Sequence, residues 1–223
     1  MSVQADTGDA LERNGAGREA NEQTVQGPSE GTRERIVQVA RELVIERGYA
    51  GLSTAEVLRR AGVSRGGLYH HFSGKAELLA AILEALELDV VAQLAEVVAD
   101  APDQLTALQT GIQWYLDECI RSTELQRIGL VEGRKALGWE AWREVISPHG
   151  LSMLSAALAA AMHDGEIATA DPDVLAHLIL AALHESTALI LSAADQSAER
   201  QRAGLAMAVL IDGLRSHREP ETG

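Results

Sequence analysis

Ser53–Phe72 reads STAEVLRRAGVSRGGLYHHF. Ser53, with Glu56 three residues on, has the form of a capping box that opens a helix. Val57, Leu58 and Ala61 supply its inner face, and Gly62 ends it. The turn Gly62-Val63-Ser64 leads to a second short helix starting at Ser64. On a 100° wheel Leu68 and Phe72 form one buried stripe. Gly66, Gly67 and His70 face away from it, Tyr69 and His71 lie on the flanks, and Arg65 sits in the first turn. Two short helices joined through such a turn make a helix-turn-helix, a motif whose second helix enters the DNA major groove.

Helical signals continue on both sides. Ile36, Val39, Ala40, Leu43 and Val44 repeat at i, i+3, i+4, i+7 and i+8, with Thr32 as the expected cap and Gly48 just past the end. A long helix is expected from Lys75 to Asp100, and Pro102 suits the first turn of the next. Further helices fit 103–121, 124–137, 139–164 with a bend at Pro148, 172–193 after Asp171-Pro172, and 197–216. Strand alternation is absent, aromatic residues are only 3%, and there are five prolines. The expected fold is all-α with about nine helices. Residues 32–78 form a three-helix helix-turn-helix domain and 79–218 a larger helical domain. Residues 1–31, almost free of large apolar side chains, read as a disordered arm, and 219–223 as a tail.

The 223 residues carry 19 Lys and Arg against 33 Asp and Glu, a net charge of −14. As a total, that opposes nucleic-acid binding. By region it does not. Residues 32–78 hold eight cations (33, 35, 41, 47, 59, 60, 65, 75) and five acids (34, 42, 46, 56, 77), a net of +3. Residues 1–31 hold two against six, or −4, which leaves −13 for 79–223. Phosphate attraction depends on the residues that touch the phosphates.

Thr32–Glu84 resembles the N-terminal domain of the tetracycline-repressor (TetR) family. The matching residues are Glu46-Arg47-Gly48-Tyr49, Gly62-Val63-Ser64-Arg65, Leu68-Tyr69-His70-His71-Phe72, Lys75 and Leu78-Leu79. The resemblance implies a homodimeric transcription regulator, usually a repressor, released by a small ligand from a pseudo-palindromic operator. It places Arg65, Gly67, Tyr69 and His71 at bases or the adjoining backbone. Ser53, Thr54, Ser64, Tyr69, His70 and Lys75 then meet phosphates. Arg65 suits a bidentate guanine contact, and Lys75 opens the long helix, whose N–H groups also attract phosphate. The sequence departs from the family at Val44, at Leu58 and at Gly66-Gly67. Two glycines in a short helix cost about 1 kcal/mol each relative to Ala. They also bare the backbone of the outer face. Arg59-Arg60 reads as a solvated face.

Aromatic residues cluster unevenly in the larger domain. Trp114, Tyr115, Trp139 and Trp142 fall within 29 residues, and none follows in the last 81. With Met153 and His184 they are candidates for a pocket that takes a largely apolar small-molecule effector. The same tryptophans fit a plain core equally well. The helices after Pro172 and after 197 are apolar on most sides, which suggests a two-fold interface through Leu178, Ala182, Leu189, Leu205 and Val209. No G-x-S-x-G elbow or P-loop is present, so an enzyme is not expected. His177 and His184, seven apart, are too far for i, i+4 chelation, and Cys119 is the single cysteine. No metal or cofactor is expected. The start of the chain lacks a signal-peptide pattern, and His177, His184, Glu185 and Ser186 break the most apolar stretch. No membrane partner is expected and the expected compartment is the cytoplasm. The competing reading is a helical small-molecule sensor that does not bind DNA.

Overall fold

The computed structural model describes residues 30–215. The arm expected over residues 1–31 and the tail expected over 219–223 lie outside them, except for residues 30 and 31. Ten α-helices follow in order: α1 Glu30–Arg47, α2 Thr54–Ala61, α3 Arg65–His71, α4 Lys75–Val98, α5 Gln104–Arg121, α6 Gly133–Leu137, α7 Trp139–Ile146, α8 Pro148–His163, α9 Pro172–Ser192 and α10 Gln196–Asp212. A short 3-10 turn, Tyr49–Gly51, follows α1, and a π-helical segment, Leu125–Glu132, precedes α6. The all-α reading holds. The tenth helix comes from Pro148, which lacks the N–H needed to continue α7, so α7 and α8 meet at a 60° bend.

Several helix ends differ from expectation. Thr32 lies inside α1 and does not cap it. Ser53 takes the extended N-cap conformation, but its side chain caps nothing. Glu56 is drawn to Arg59 and Arg60 instead, because an ion pair outcompetes a neutral backbone N–H. Asp103 caps α5 by accepting from Thr106 N, which leaves Pro102 outside the helix. Asp171 caps α9, accepting from Asp173 N and Val174 N. Gly48 and Gly62 end α1 and α2 with φ of +74° and +65°, a conformation that disfavours other residues.

Two apolar cores hold the helices together. The first joins Ile36, Ala40, Leu43 and Val44 of α1 to Val57 of α2, Leu68, Phe72 and the buried side of α4, and runs on to Leu125, Ile128 and Trp142. The second lies among α5, α8, α9 and α10 around Leu116, Leu158, Ile179 and Met207. Tyr115 packs against both. The first core is therefore continuous from the helix-turn-helix into the larger body, with α4 as the shared element.

Among the described residues α9 alone, as a single helix, is long and apolar enough to cross a membrane, with 39% of its most apolar stretch buried. Its apolar character serves two sides at once. Ile179, Leu183 and Ile190 enter the second core, while Val174, Leu178 and Leu189 face outward.

Candidate nucleic-acid interface and ligand cavity

The helix-turn-helix is built from its caps and its stripe. Ser64 opens α3, its Oγ accepting from Gly67 N at 3.1 Å. Leu68 and Phe72 are buried beneath α3 as the wheel requires. Ser53, Ser64, Arg65, Tyr69 and His70 are exposed, and Thr54, Gly67, His71 and Lys75 are half-buried. None of the nine residues singled out in the sequence is buried, and all belong to α2, α3, their N-caps or the first residue of α4. Arg65 places its guanidinium 5.6 Å from the centre of the Tyr69 ring, and Lys75 its ammonium 5.0 Å from that of Tyr49. These aromatic faces hold the two cations in place without neutralising them.

Ion pairing sorts the eight cations of this region in a way that counting cannot. Arg41 binds Asp89 and Glu124, Arg59 binds Glu56, and Arg60 binds Glu46 and Glu56. Arg33 and Arg47 lie beside Glu84 and Glu46. Arg59, first of its partners, and Arg60 hold the Glu56 carboxyl down at about 2. Arg35, Arg65 and Lys75 make no ion pair among the described residues, and Arg35 donates to Ala61 O. Arg65 and Lys75 belong to the surface that α3 presents. A Cβ on Gly66 or Gly67 would meet nothing nearer than Ser64 Oγ, at 3.9 and 3.4 Å. No internal packing requires either glycine; what they create is a bare outer backbone.

A cavity of about 410 Å³ lies among α4, α5, α8 and α9. Most of its lining is aliphatic: Val90, Val91 and Leu94 from α4, Leu108 and Ile112 from α5, Leu154 from α8 and Leu183 from α9. The polar groups on it are Glu87, Gln104, Tyr115, Ser147 and His184. Glu87 Oε1 accepts from His149 N and Gly150 N, at 2.9 and 3.0 Å, in the first turn of α8. Burial pushes the Glu87 carboxyl above its ordinary range, against the pull of those N–H groups. Glu87 Oε2 and Ser147 Oγ are buried with no hydrogen-bond partner among the described residues. Burial, with Arg134 and Arg143 adding to it, pushes His184 down to about 4 and keeps it neutral.

The aromatic cluster divides between cavity and core. Tyr115, Met153 and His184 line the cavity. Trp139 lines a smaller hollow of about 290 Å³ beside it, with His177 and His184. Trp142 is core: its Nε1 donates to Gly129 O at 2.5 Å, and its ring stacks on Trp139 with centroids 5.4 Å apart. Trp114, half-buried on α5, lines neither space. Sequence reading missed Glu87 and Ser147. Glu84, Glu87 and Asp89 look alike along α4, and only the docking of α8 on that helix singles out Glu87.

Three ties fasten the helix-turn-helix to the body beyond α4. Arg41 reaches Glu124, Tyr49 N donates to Glu132, and Arg127 Nη1 donates to Ile45 O at 2.8 Å. All three partners in the body lie in or next to the π-helical segment. Outward on α9 and α10, Leu178, Leu189, Leu205 and Val209 are exposed at 63%, 47%, 70% and 72%, and Ala182 is half-buried between them and the core. That is an apolar surface of the kind that marks association. No group of three or more His, Cys, Asp or Glu is placed to hold a metal ion among the described residues. Cys119 is buried and its thiol is pushed up to about 12, mainly by burial, so it is unreactive.

Comparison with known proteins bears on both halves. Residues 36–82 match the tetR family of bacterial regulatory proteins, and residues 105–214 match the tetracyclin repressor-like C-terminal domain. A solved TetR-family transcriptional regulator from Pectobacterium atrosepticum is 30% identical, with a TM-score of 0.72; the match covers 86% of this chain and 97% of that one. The TetC protein of transposon Tn10 from Escherichia coli is 26% identical over 148 residues, 66% of this chain and 74% of TetC. The helix-turn-helix regulator SrpR of Pseudomonas putida is 40% identical over 70 residues, 30% of this chain and 33% of SrpR.

Proposed function

This chain belongs to the TetR family of DNA-binding transcriptional regulators, and on that premise we propose how it works. A homodimer holds a pseudo-palindromic operator and lets go when a small, largely apolar effector fills the cavity. In each subunit Arg65 reads a base edge, Tyr69 and His71 support it, and Ser53, Thr54, Ser64, His70 and Lys75 grip phosphates. Gly67 lets the backbone approach the DNA. The exposed apolar faces of α9 and α10 pair across the two-fold axis, which sets the separation of the two recognition helices.

One observation carries this reading: α4 belongs to both ends. Its first residue, Lys75, stands beside the recognition helix, and Glu87, Val90, Val91, Leu94 and Val98 further along it line the cavity. Lys75 and Glu87 are separated by about 18 Å of helix at 1.5 Å per residue. A ligand that favours a shifted α4 therefore repositions the head, and differential affinity for the two arrangements is all that release requires.

The test is selection of binding sites from random duplex DNA by the full chain. An inverted repeat is expected among the survivors, with Arg65→Ala relaxing the preference at one position in each half-site by about 1–3 kcal/mol. Absence of any enriched sequence, or an unchanged preference in Arg65→Ala, contradicts the reading.

A further inference from the structure

The cavity is not uniformly greasy, and its two polar defects lie together. Ser147 immediately precedes α8, and the first turn of that helix is where Glu87 Oε1 is engaged by His149 N and Gly150 N. Those bonds fix the carboxylate and leave Oε2 as its second acceptor. Glu87 is only 5% exposed and Ser147 only 7%, and neither Glu87 Oε2 nor Ser147 Oγ has a hydrogen-bond partner among the described residues. A buried acceptor left unpaired is costly, so an occupant of this corner gains by supplying the missing donor. Among the described residues the only acid on the lining is Glu87, and neither Lys nor Arg is on it. An anionic ligand would find no counter-charge and would face a carboxylate.

Resting on the reading of this space as the effector site, we propose that it selects apolar molecules carrying one hydrogen-bond donor, a hydroxyl or an amine, and rejects carboxylates. Glu87 Oε2 accepts from the donor, with Ser147 Oγ as the second polar partner. The aliphatic walls from α4, α5 and α9 take the apolar body. The hydroxyl is a neutral donor and the amine, protonated at neutral pH, a cationic one, and a matched series separates them. Both engage Oε2, so the proposal does not depend on which one is preferred.

The experiment is isothermal titration of the full-length chain with four probes of one shape. These are 1-methylnaphthalene, 1-naphthylmethanol, 1-naphthylmethylamine and 1-naphthoate. Expected is binding of the alcohol or the amine at least about tenfold tighter than the methyl compound, with naphthoate weakest. Glu87→Gln keeps an oxygen for His149 N and Gly150 N but turns the second acceptor into a donor. In that variant the amine, an ammonium that can only donate, falls to the level of 1-methylnaphthalene; the alcohol, which can also accept, loses less, and 1-naphthaldehyde, an acceptor, gains. A merely structural role for Glu87 would move none of these ratios, and thermal unfolding of Glu87→Gln checks that the fold is kept. Equal binding of methyl and donor probes, or an unchanged order in Glu87→Gln, overturns the proposal and leaves the effector cavity standing. Failure of all four probes to bind overturns both.

Discussion

At the scale of the residue, what separates one arginine from another is its partner. Arg59, Arg60 and Arg65 are equivalent in a charge count. Yet the first two are bound to Glu46 and Glu56, and Arg65 rests on the Tyr69 ring. The free positive charge of the head is thus smaller and more localised than the net of +3 suggests. Lys75→Ala should weaken binding to all DNA sequences alike and lower the slope of log affinity against log salt by about one, as measured by anisotropy across a salt series. His184 gives a residue-scale prediction in the body. Its folded pKa of about 4 lies below the ordinary 6.5, so the unfolded chain binds the proton first. Stability is then complete above pH 6.5 and falls as the pH drops towards 4, by roughly 3 kcal/mol at most. Glu87, raised by burial, works in the opposite sense as pH rises past its ordinary value. The difference between wild type and His184→Gln isolates the histidine: denaturant midpoints should converge on acidification from 6.5 to 4. A constant gap between them would contradict the assignment. The buried stripe of α3 could be read from periodicity alone. The orphaned oxygen of Glu87 could not, because nothing in the spacing of α4 reports which helix packs against it.

Among the elements, α4 and the π-helical segment Leu125–Glu132 make the link between head and body. The sequence showed a long helix from Lys75 and a helical stretch near 124–137. It did not show the wider winding of the second, since periodicity does not separate i, i+4 from i, i+5 over eight residues. Such segments are frequent at functional sites, and here Arg127 and Glu132 lie on it while Glu124 directly precedes it. Arg127→Ala removes the bond to Ile45 O and the pairing with Glu132. Expected is retained binding of DNA and of cavity probes, each measured alone, with the effect of one on the other reduced by about 0.5–2 kcal/mol. Full coupling in this variant would assign the transmission to α4 alone. Helix ends were the least legible part of the fold. Ser53 and Glu56 fit a capping box by type and spacing, but two nearby arginines compete for the glutamate. Pro148, by contrast, acted as its covalent structure dictates.

Across the whole molecule the acidic total and the DNA-binding head are compatible because the charges are segregated. The net of −13 is carried by 79–223 and the +3 by 32–78, a division that favours approach to phosphates through the head. The same segregation applies to apolar surface. Core residues of α9 face inward while its Leu178 and Leu189 face out, as do Leu205 and Val209 of α10; in the proposed dimer the most membrane-like part of the chain is covered on both sides. Fold class and head were legible because periodicity, caps and a dense motif coincide over Thr32–Glu84. The cavity was only half legible, because its walls are aliphatic residues that look like any core and its aromatic candidates split between lining and packing. What joins these parts is the claim that filling the cavity changes the grip on DNA. The direct measurement is the affinity of the whole chain for its selected operator, taken with the cavity empty and with it saturated by the tightest-binding probe. A fall of about fivefold or more is predicted, the size of an ordinary coupling free energy. The same operator affinity with the cavity empty and filled would contradict the account.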